Sequence, residues 1–492
     1  MKILLVEPPV SPYDVPTGTF GLPPPYHLEC LAGALLYRHE VAILDMRIDQ
    51  DLSAELARFA PDMIGCSCVA ANYHLALQVL REAKVWNPNA VTLLGGHHPS
   101  LVPLQCLETG VDYVVIGEGE GSLRELAATL ERGADPATVA GIAYRDDSGE
   151  GRLSPQRPLL DMDGLPAPAR HLSARYRDRQ KYFRASWQPT DSIISSRGCP
   201  FKCTFCGLWK MNRGCYRYRD AELIADELET IEYPYVCFVD DNTMDHVRNA
   251  SRLADAIKAR GIQKTYELYG RSSTVVKHPE LIEKWVSVGM KLLLIGLEST
   301  TSDRLEAMDK RVDLKTNQEA IAICHANGIE IVAYFIVDPE FTQEDFRRLG
   351  DYVEETGLTH PVYTILSPFP GTDLYELVKG RLITRRLDIL DFFHTVLPTR
   401  LPLEEFYREF VSLYHRAYPL EAMRNAKPGD MAMVSPQMLG RYQEMDRRMS
   451  SLYAHHSEPA PDKAVYSESV YPSAFDHGSV TVRSEVIPLG AR

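Results

Sequence analysis

Three cysteines, Cys199, Cys203 and Cys206, fall at spacing C-x3-C-x2-C in the run Arg197-Gly198-Cys199-Pro200-Phe201-Lys202-Cys203-Thr204-Phe205-Cys206. The spacing lets three thiolates on one short loop face a single point. Iron–sulfur clusters are held by cysteine thiolates, with four ligands the common case. A loop that supplies only three leaves one iron open to a small molecule. Two plainer readings compete. A structural zinc centre needs four ligands, hence a remote His or Cys, and unrelated core cysteines need no metal at all. The loop follows the β-prone Ser192-Ile193-Ile194-Ser195, so it leaves the carboxyl end of a strand.

The elements that must position this loop belong to a long chain. At 492 residues it exceeds one ordinary core and predicts two or three domains. With 45% hydrophobic and 24% charged residues the composition is that of a globular protein. No apolar run of about 18 residues is present, so no membrane-spanning helix is expected. The N-terminus opens into a strand without a signal segment, which predicts a cytoplasmic protein. The ten cysteines do not read as a disulfide framework. Cys30, Cys66, Cys68, Cys106, Cys237 and Cys324 sit in apolar settings and read as core residues, whereas Cys215 stays unassigned. The net charge of −14, without a long basic stretch, argues against a nucleic-acid partner.

Residues 1–140 alternate strands (2–6, 41–44, 63–67, 91–94, 113–116) with helical segments (27–36, 75–84). This predicts a parallel, doubly wound, Rossmann-like sheet, with ligands beyond the carboxyl ends of its strands. Those ends carry Glu7-Pro8-Pro9 and a Pro-rich loop to Pro23-Pro24-Pro25, then Val69-Ala70-Ala71-Asn72-Tyr73, Gly95-Gly96-His97-His98, and Gly117-Glu118-Gly119-Glu120. Glycine permits positive φ and close backbone approach. Turn chemistry explains any one pair; several such loops on one edge point to a large flat ligand. Residues 141–190 read as an extended surface connector.

Over residues 191–384 the alternation resumes with six strands, near 192–194, 235–239, 265–269, 291–295, 330–337 and 363–366. Polar or turn residues follow the strands: Asp240-Asp241-Asn242, Gly270-Arg271-Ser272, Gly296-Leu297-Glu298-Ser299 and Pro368-Phe369-Pro370-Gly371 among them. The pattern predicts a partial (β/α)6 barrel with its site at that face. Acids so placed also serve as helix N-caps, and Arg271 also suits a structural salt bridge. Residues 385–425 read as a small helical region, aromatic along Leu390, Phe392, Phe393, Phe406, Phe410 and Tyr414, that caps the barrel. A substrate channel is the alternative. Residues 426–492 read as a largely disordered tail.

The cysteine loop resembles that of the radical S-adenosylmethionine (SAM) enzymes, in which SAM chelates the open iron of a [4Fe-4S] cluster. The resemblance implies Cys199, Cys203 and Cys206 as metal ligands and Asp240 and Asp241 as acceptors for the SAM ammonium. It implies Arg271 on the SAM carboxylate, Glu298 on the ribose and Phe205 near the adenine. Upstream, strand-Gly-Gly-His and strand-Gly-Glu-Gly-Glu resemble the cobalamin-binding domain of cobalamin-dependent radical SAM enzymes. That resemblance implies a cofactor tail along Gly95, Gly96, His97, Gly117, Glu118 and Gly119, with Asn72 near the lower face of cobalt. Asp45-Met46-Arg47-Ile48-Asp49 lacks the His of an Asp-x-His-x-x-Gly signature, so no protein His ligand is implied. The order of these segments, with Val396-Leu397-Pro398-Thr399-Arg400-Leu401-Pro402-Leu403 behind them, is most similar to the hopanoid C-3 methylases and their relatives. It implies methylation of an unactivated carbon of an apolar small-molecule or lipid substrate, with the protein peripheral at a membrane and served by ferredoxin or flavodoxin. Cyclisation, as in anaerobic tetrapyrrole cyclases, and a non-catalytic sensor are the rival outcomes.

Overall fold

The computed structural model describes residues 1–15, 17–426, 434–462 and 464. A first sheet contains β1 (Lys2–Glu7), β2 (Glu40–Asp45), β3 (Met63–Ser67), β4 (Val91–Gly95), β5 (Tyr113–Val115), β6 (Ile142–Arg145) and β7 (Gly151–Leu153). Their order is β2-β1-β3-β4-β5-β6-β7. The first five are parallel, and β6 and β7 close one edge antiparallel, so the sheet runs past residue 140. Alternation along β1 sets the layers. Ile3 and Leu5 pack with Leu28 and Leu126 on one face, while Leu4 and Val6 pack with Leu56 and Leu80 on the other. Burial on both faces is why the strand reads as a continuous apolar run.

A second sheet contains β8 (Thr190–Ile193), β9 (Tyr235–Phe238), β10 (Thr265–Gly270), β11 (Met290–Glu298), β12 (Glu330–Val337) and β13 (His360–Ile365). All are parallel and in sequence order, forming the expected partial barrel. Edge-to-face contacts among Phe238, Tyr266 and Trp285 mark its core.

Three expectations are corrected. Residues 141–190 run along the surface for much of their length, but part of the segment also packs inward between the units. Arg177 is buried and pairs with Glu29 of the first unit (2.7 Å) and with Asp191 of β8, and the Tyr182 hydroxyl donates to Asp45. There the polar composition reflects paired charge. Residues 385–402 are irregular: the helix that caps the barrel is Leu403–Ala417, while Leu387, Ile389 and Leu390 join the core of the first unit. In that helix the Tyr414 hydroxyl donates to the Tyr363 carbonyl at 2.6 Å.

The third correction concerns the tail. Pro436–Met449 is a helix, with the Ser435 hydroxyl accepting from the Met438 N–H (3.2 Å) and Pro in its first turn. Met438, Tyr442, Met445 and Met449 form one stripe in the barrel's hydrophobic cluster, and Tyr442 stacks on Tyr418 at 4.8 Å. Ser-Pro followed by this spacing was a readable helix signal; the surrounding charge masked it. The disorder expected at 427–433, 463 and 465–492 lies outside the described residues.

Met445→Ala leaves a cavity beneath this helix. It is expected to lower unfolding stability by about 2–5 kcal/mol, measured by denaturant titration. A disordered segment would show no change.

Candidate functional site

At the end of β8 the chain enters the cysteine loop through Ser196–Arg197, which pairs with Arg217–Tyr218. Gly198 has φ +90°, and a Cβ there would collide with the Cys215 carbonyl, so the turn requires glycine. Asp241 Oδ2 accepts from the Gly198 N–H (2.7 Å) and from Asn212 Nδ2 (3.3 Å). Asp240 accepts from the N–H groups of Ser195 (2.7 Å) and Ser196 (3.0 Å) and from the Ser195 hydroxyl. Burial pushes its carboxyl up to about 6 against these hydrogen bonds. The two acids therefore hold the backbone that leads into the loop. Both Asp240 oxygens accept hydrogen bonds in this scaffold. Asp241 additionally faces the cavity described below.

Cys203 is buried, and Cys199 and Cys206 are partly so. Burial raises the Cys206 thiol to about 12, and the charges of Cys203 and Cys199 push it the same way. Thiolates that repel one another are what a cationic cluster relieves. Among the described residues no three His, Cys, Asp or Glu side chains converge as a single ion requires. A cluster spreads its ligands over several irons, and the donor set fits it.

Arg271 is buried with its guanidinium 3.5 Å from the centre of the Phe201 ring. One terminal nitrogen donates to the Lys310 carbonyl, while Nε is buried without a partner. An orphaned donor of a buried cation is costly; a carboxylate from SAM would satisfy it. Glu298 ends β11 at φ +63°, beside a register shift against β12, and its carboxylate pairs with Lys310 Nζ at 2.6 Å. A non-glycine residue in this conformation is strained and marks a site held by its surroundings. Phe205 packs near Met308 and Leu366.

The carboxyl ends of the two sheets face a shared cavity of about 660 Å³. It brings together Asn72, Gly95, Gly96, His97, Gly117, Glu118 and Gly119 from one side and Arg197, Asn212 and Asp241 from the other. Gly96 has φ +99°, and a Cβ would run into the Cys68 backbone. The Asn72 side chain accepts from the Val69 N–H (2.9 Å) and so fixes its loop. Burial keeps the His97 imidazole below its ordinary pKa, opposed by the charge of Asp241. The size and the glycine-edged wall fit a large flat cofactor. Glu118 lines the cavity, and its carboxylate is also held by Arg197 and Arg217. Sequence reasoning missed these arginines, and also the pair of His27 with Glu7 (3.0 Å) on the cavity wall. Each partner lies on a different element, so no local spacing announces them.

Residues 20–127 match the B12 binding domain and residues 193–353 the Radical SAM superfamily. The hopanoid C-3 methylase of Methylococcus capsulatus is 31% identical over 85% of this chain and 80% of its own length. The anaerobic magnesium-protoporphyrin IX monomethyl ester cyclase of Rubrivivax gelatinosus is 25% identical over 76% and 68%. The structure of the cobalamin-dependent radical SAM enzyme OxsB, with aqua-cobalamin and SAM bound, shares the fold at a TM-score of 0.72 and 16% identity, covering 92% of this chain and 72% of that one.

Arg271→Met removes the orphaned donor while keeping bulk. It is expected to weaken SAM binding by about 10- to 100-fold, as loss of a charged hydrogen bond does, and to leave cobalamin retention unchanged. Equilibrium dialysis and the optical spectrum of the reconstituted protein check both.

Proposed function

Because the chain belongs to the radical SAM methyltransferases that carry a B12-binding domain, we propose that it methylates an unactivated carbon of an apolar polyprenoid lipid such as a hopanoid. Its cofactors are a [4Fe-4S] cluster, SAM and cobalamin. When bound, the cluster supplies the electron that splits SAM, and cobalamin supplies the methyl group. The observation that carries the reading is that the strand ends of the first sheet and the ends of β8 and β9 in the second line one cavity, which would let a substrate carbon meet both cofactors without leaving the protein.

The chain's own residues would divide the remaining work. Cys199, Cys203 and Cys206 would hold the cluster, and Arg271 would grip the SAM carboxylate. Asp241 and Asn212 fix the turn at Gly198, while Glu298, braced by Lys310, would meet the ribose. Gly95, Gly96, Gly117 and Gly119 would let cobalamin lie close to the backbone. Phe392, at φ +73° and half exposed, has its ring 4.9 Å from that of Phe369. This partly exposed aromatic pair at the Pro368-Phe369-Pro370-Gly371 turn supports an apolar substrate, as does the likeness to the hopanoid methylase. Among the described residues no helix is long and apolar enough to cross a membrane. A lipid substrate would then be met at the membrane surface from the cytoplasmic side, with ferredoxin or flavodoxin as electron donor.

Anaerobic reconstitution with cluster, cobalamin, SAM, a reductant and candidate hopanoids tests the proposal. The expected result is deoxyadenosine together with a product heavier by one methylene unit. The Cys199→Ala/Cys203→Ala/Cys206→Ala variant is expected to give neither. Loss of hydrogens or gain of oxygen in the product would indicate cyclisation instead, and no SAM cleavage by the intact protein would indicate a sensor.

A further inference from the structure

Arg197 immediately precedes the Gly198-Cys199 turn, yet its side chain is held by the other α/β unit. Its Nη1 donates to Glu118 Oε1 (3.0 Å) and Glu120 Oε2 (3.3 Å), and its Nη2 donates to Glu120 Oε1. Glu118 also accepts from both terminal nitrogens of Arg217 (3.0 and 2.8 Å) and from the Leu160 N–H (2.9 Å). Arg217 pairs through its backbone with Arg197. Two acids from the turn and first helical residues after β5 thus grasp two neighbouring strands at the root of the cysteine loop. The Arg197, Glu118 and Glu120 side chains are only 14%, 13% and 7% exposed. Burial opposes charge on Glu118, but Arg217 and Arg197 outweigh it and keep the carboxyl below its ordinary pKa.

Buried ion pairs of this kind add little net stability over an apolar replacement, but breaking them on one side is costly. The planar guanidinium accepts carboxylates only along its fork, so what such a pair fixes is orientation. Here it joins two specific places. Glu118 and Glu120 flank Gly119, which lines the cavity, and Arg197 is two residues from Cys199. No flexible segment intervenes.

We propose that Glu118 and Glu120 are positioning residues: by clamping Arg197 they hold the cysteine loop, and the cluster on it, in fixed register with the cavity wall that receives cobalamin. This rests on the functional reading above. Glu118 then acts through Arg197 rather than by touching the cofactor's tail. Loosening the clamp frees the loop without emptying either site, so SAM cleavage becomes poorly coupled to methyl transfer.

The test compares full-length reconstituted protein with Glu120→Gln, Glu118→Gln/Glu120→Gln and Glu120→Asp variants. Iron content, cobalamin spectrum, melting temperature, cluster bleaching by an iron chelator, and the ratio of deoxyadenosine to methylated product are measured. Glu120→Gln is expected to retain iron and cobalamin, to lose cluster to chelator about fivefold faster, and to raise the ratio by a similar factor, the scale of one hydrogen bond's net contribution. Glu120→Asp is expected to recover part of both. Unchanged bleaching and ratio in the double variant would overturn the proposal. So would bleaching that rises only in step with lost cobalamin and a lower melting temperature, which is the mark of general packing. If the double variant does not fold, Arg197→Lys, which keeps the charge and removes the fork, replaces it under the same criteria. Failure of the parent protein to bind cluster or cobalamin would instead refute the functional reading itself.

Discussion

Arginines buried or partly buried between the two α/β units have carboxylate partners. Arg177 reaches Glu29 on one side and Asp191 on the other, Arg170 reaches Glu227, and Arg197 reaches Glu118 and Glu120. A charge taken out of water must find a partner or lose its proton equilibrium to burial. Arginine does not deprotonate, so the only route is pairing. These pairs have one geometry, and with it the relative placement of the two sheets is specified. Apolar contacts alone would hold the units together with less angular precision.

That placement turns two ordinary sets of strand ends into one site. Either sheet by itself presents glycine turns and acidic strand termini, which are common features of α/β folds. Facing one another, they enclose a cavity in which residues from β1, β3, β4 and β5 oppose Arg197, Leu208 and Asn212, which bracket the cysteine loop, and the turn after β9. The loop from Glu7 onward contributes twice. Its prolines line the cavity, while Val15 is buried in the barrel's core and Phe20 lies against Tyr414 and Tyr418. A segment that reads as an unusual ligand loop is therefore also a strap between the units.

The departures from expectation share a cause. Asp240 looks like a ligand because acids at strand ends often are, and its oxygens also serve Ser195 and Ser196. The connector looks exposed because it is rich in arginine, yet its charges are matched across an interface. Pro436–Met449 looks like tail because its window is polar overall, yet one stripe of it completes the barrel core. In each case composition was read correctly and the partner was invisible, since the partner lies far along the chain.

Sequence by itself determined what depends on local spacing. The C-x3-C-x2-C loop, the strand–helix rhythm of two α/β units, and the glycine turns at β4 and β5 all follow from residues within a few positions of one another, where backbone sterics and strand alternation act. Tertiary structure decided which of those features meet. That Arg271 keeps a buried nitrogen free, that Glu118 turns toward Arg197, and that Asp240 accepts from Ser195 and Ser196 are facts of pairing across tens of residues. Desolvation sets those pairings only once the chain has closed, and no periodicity encodes them.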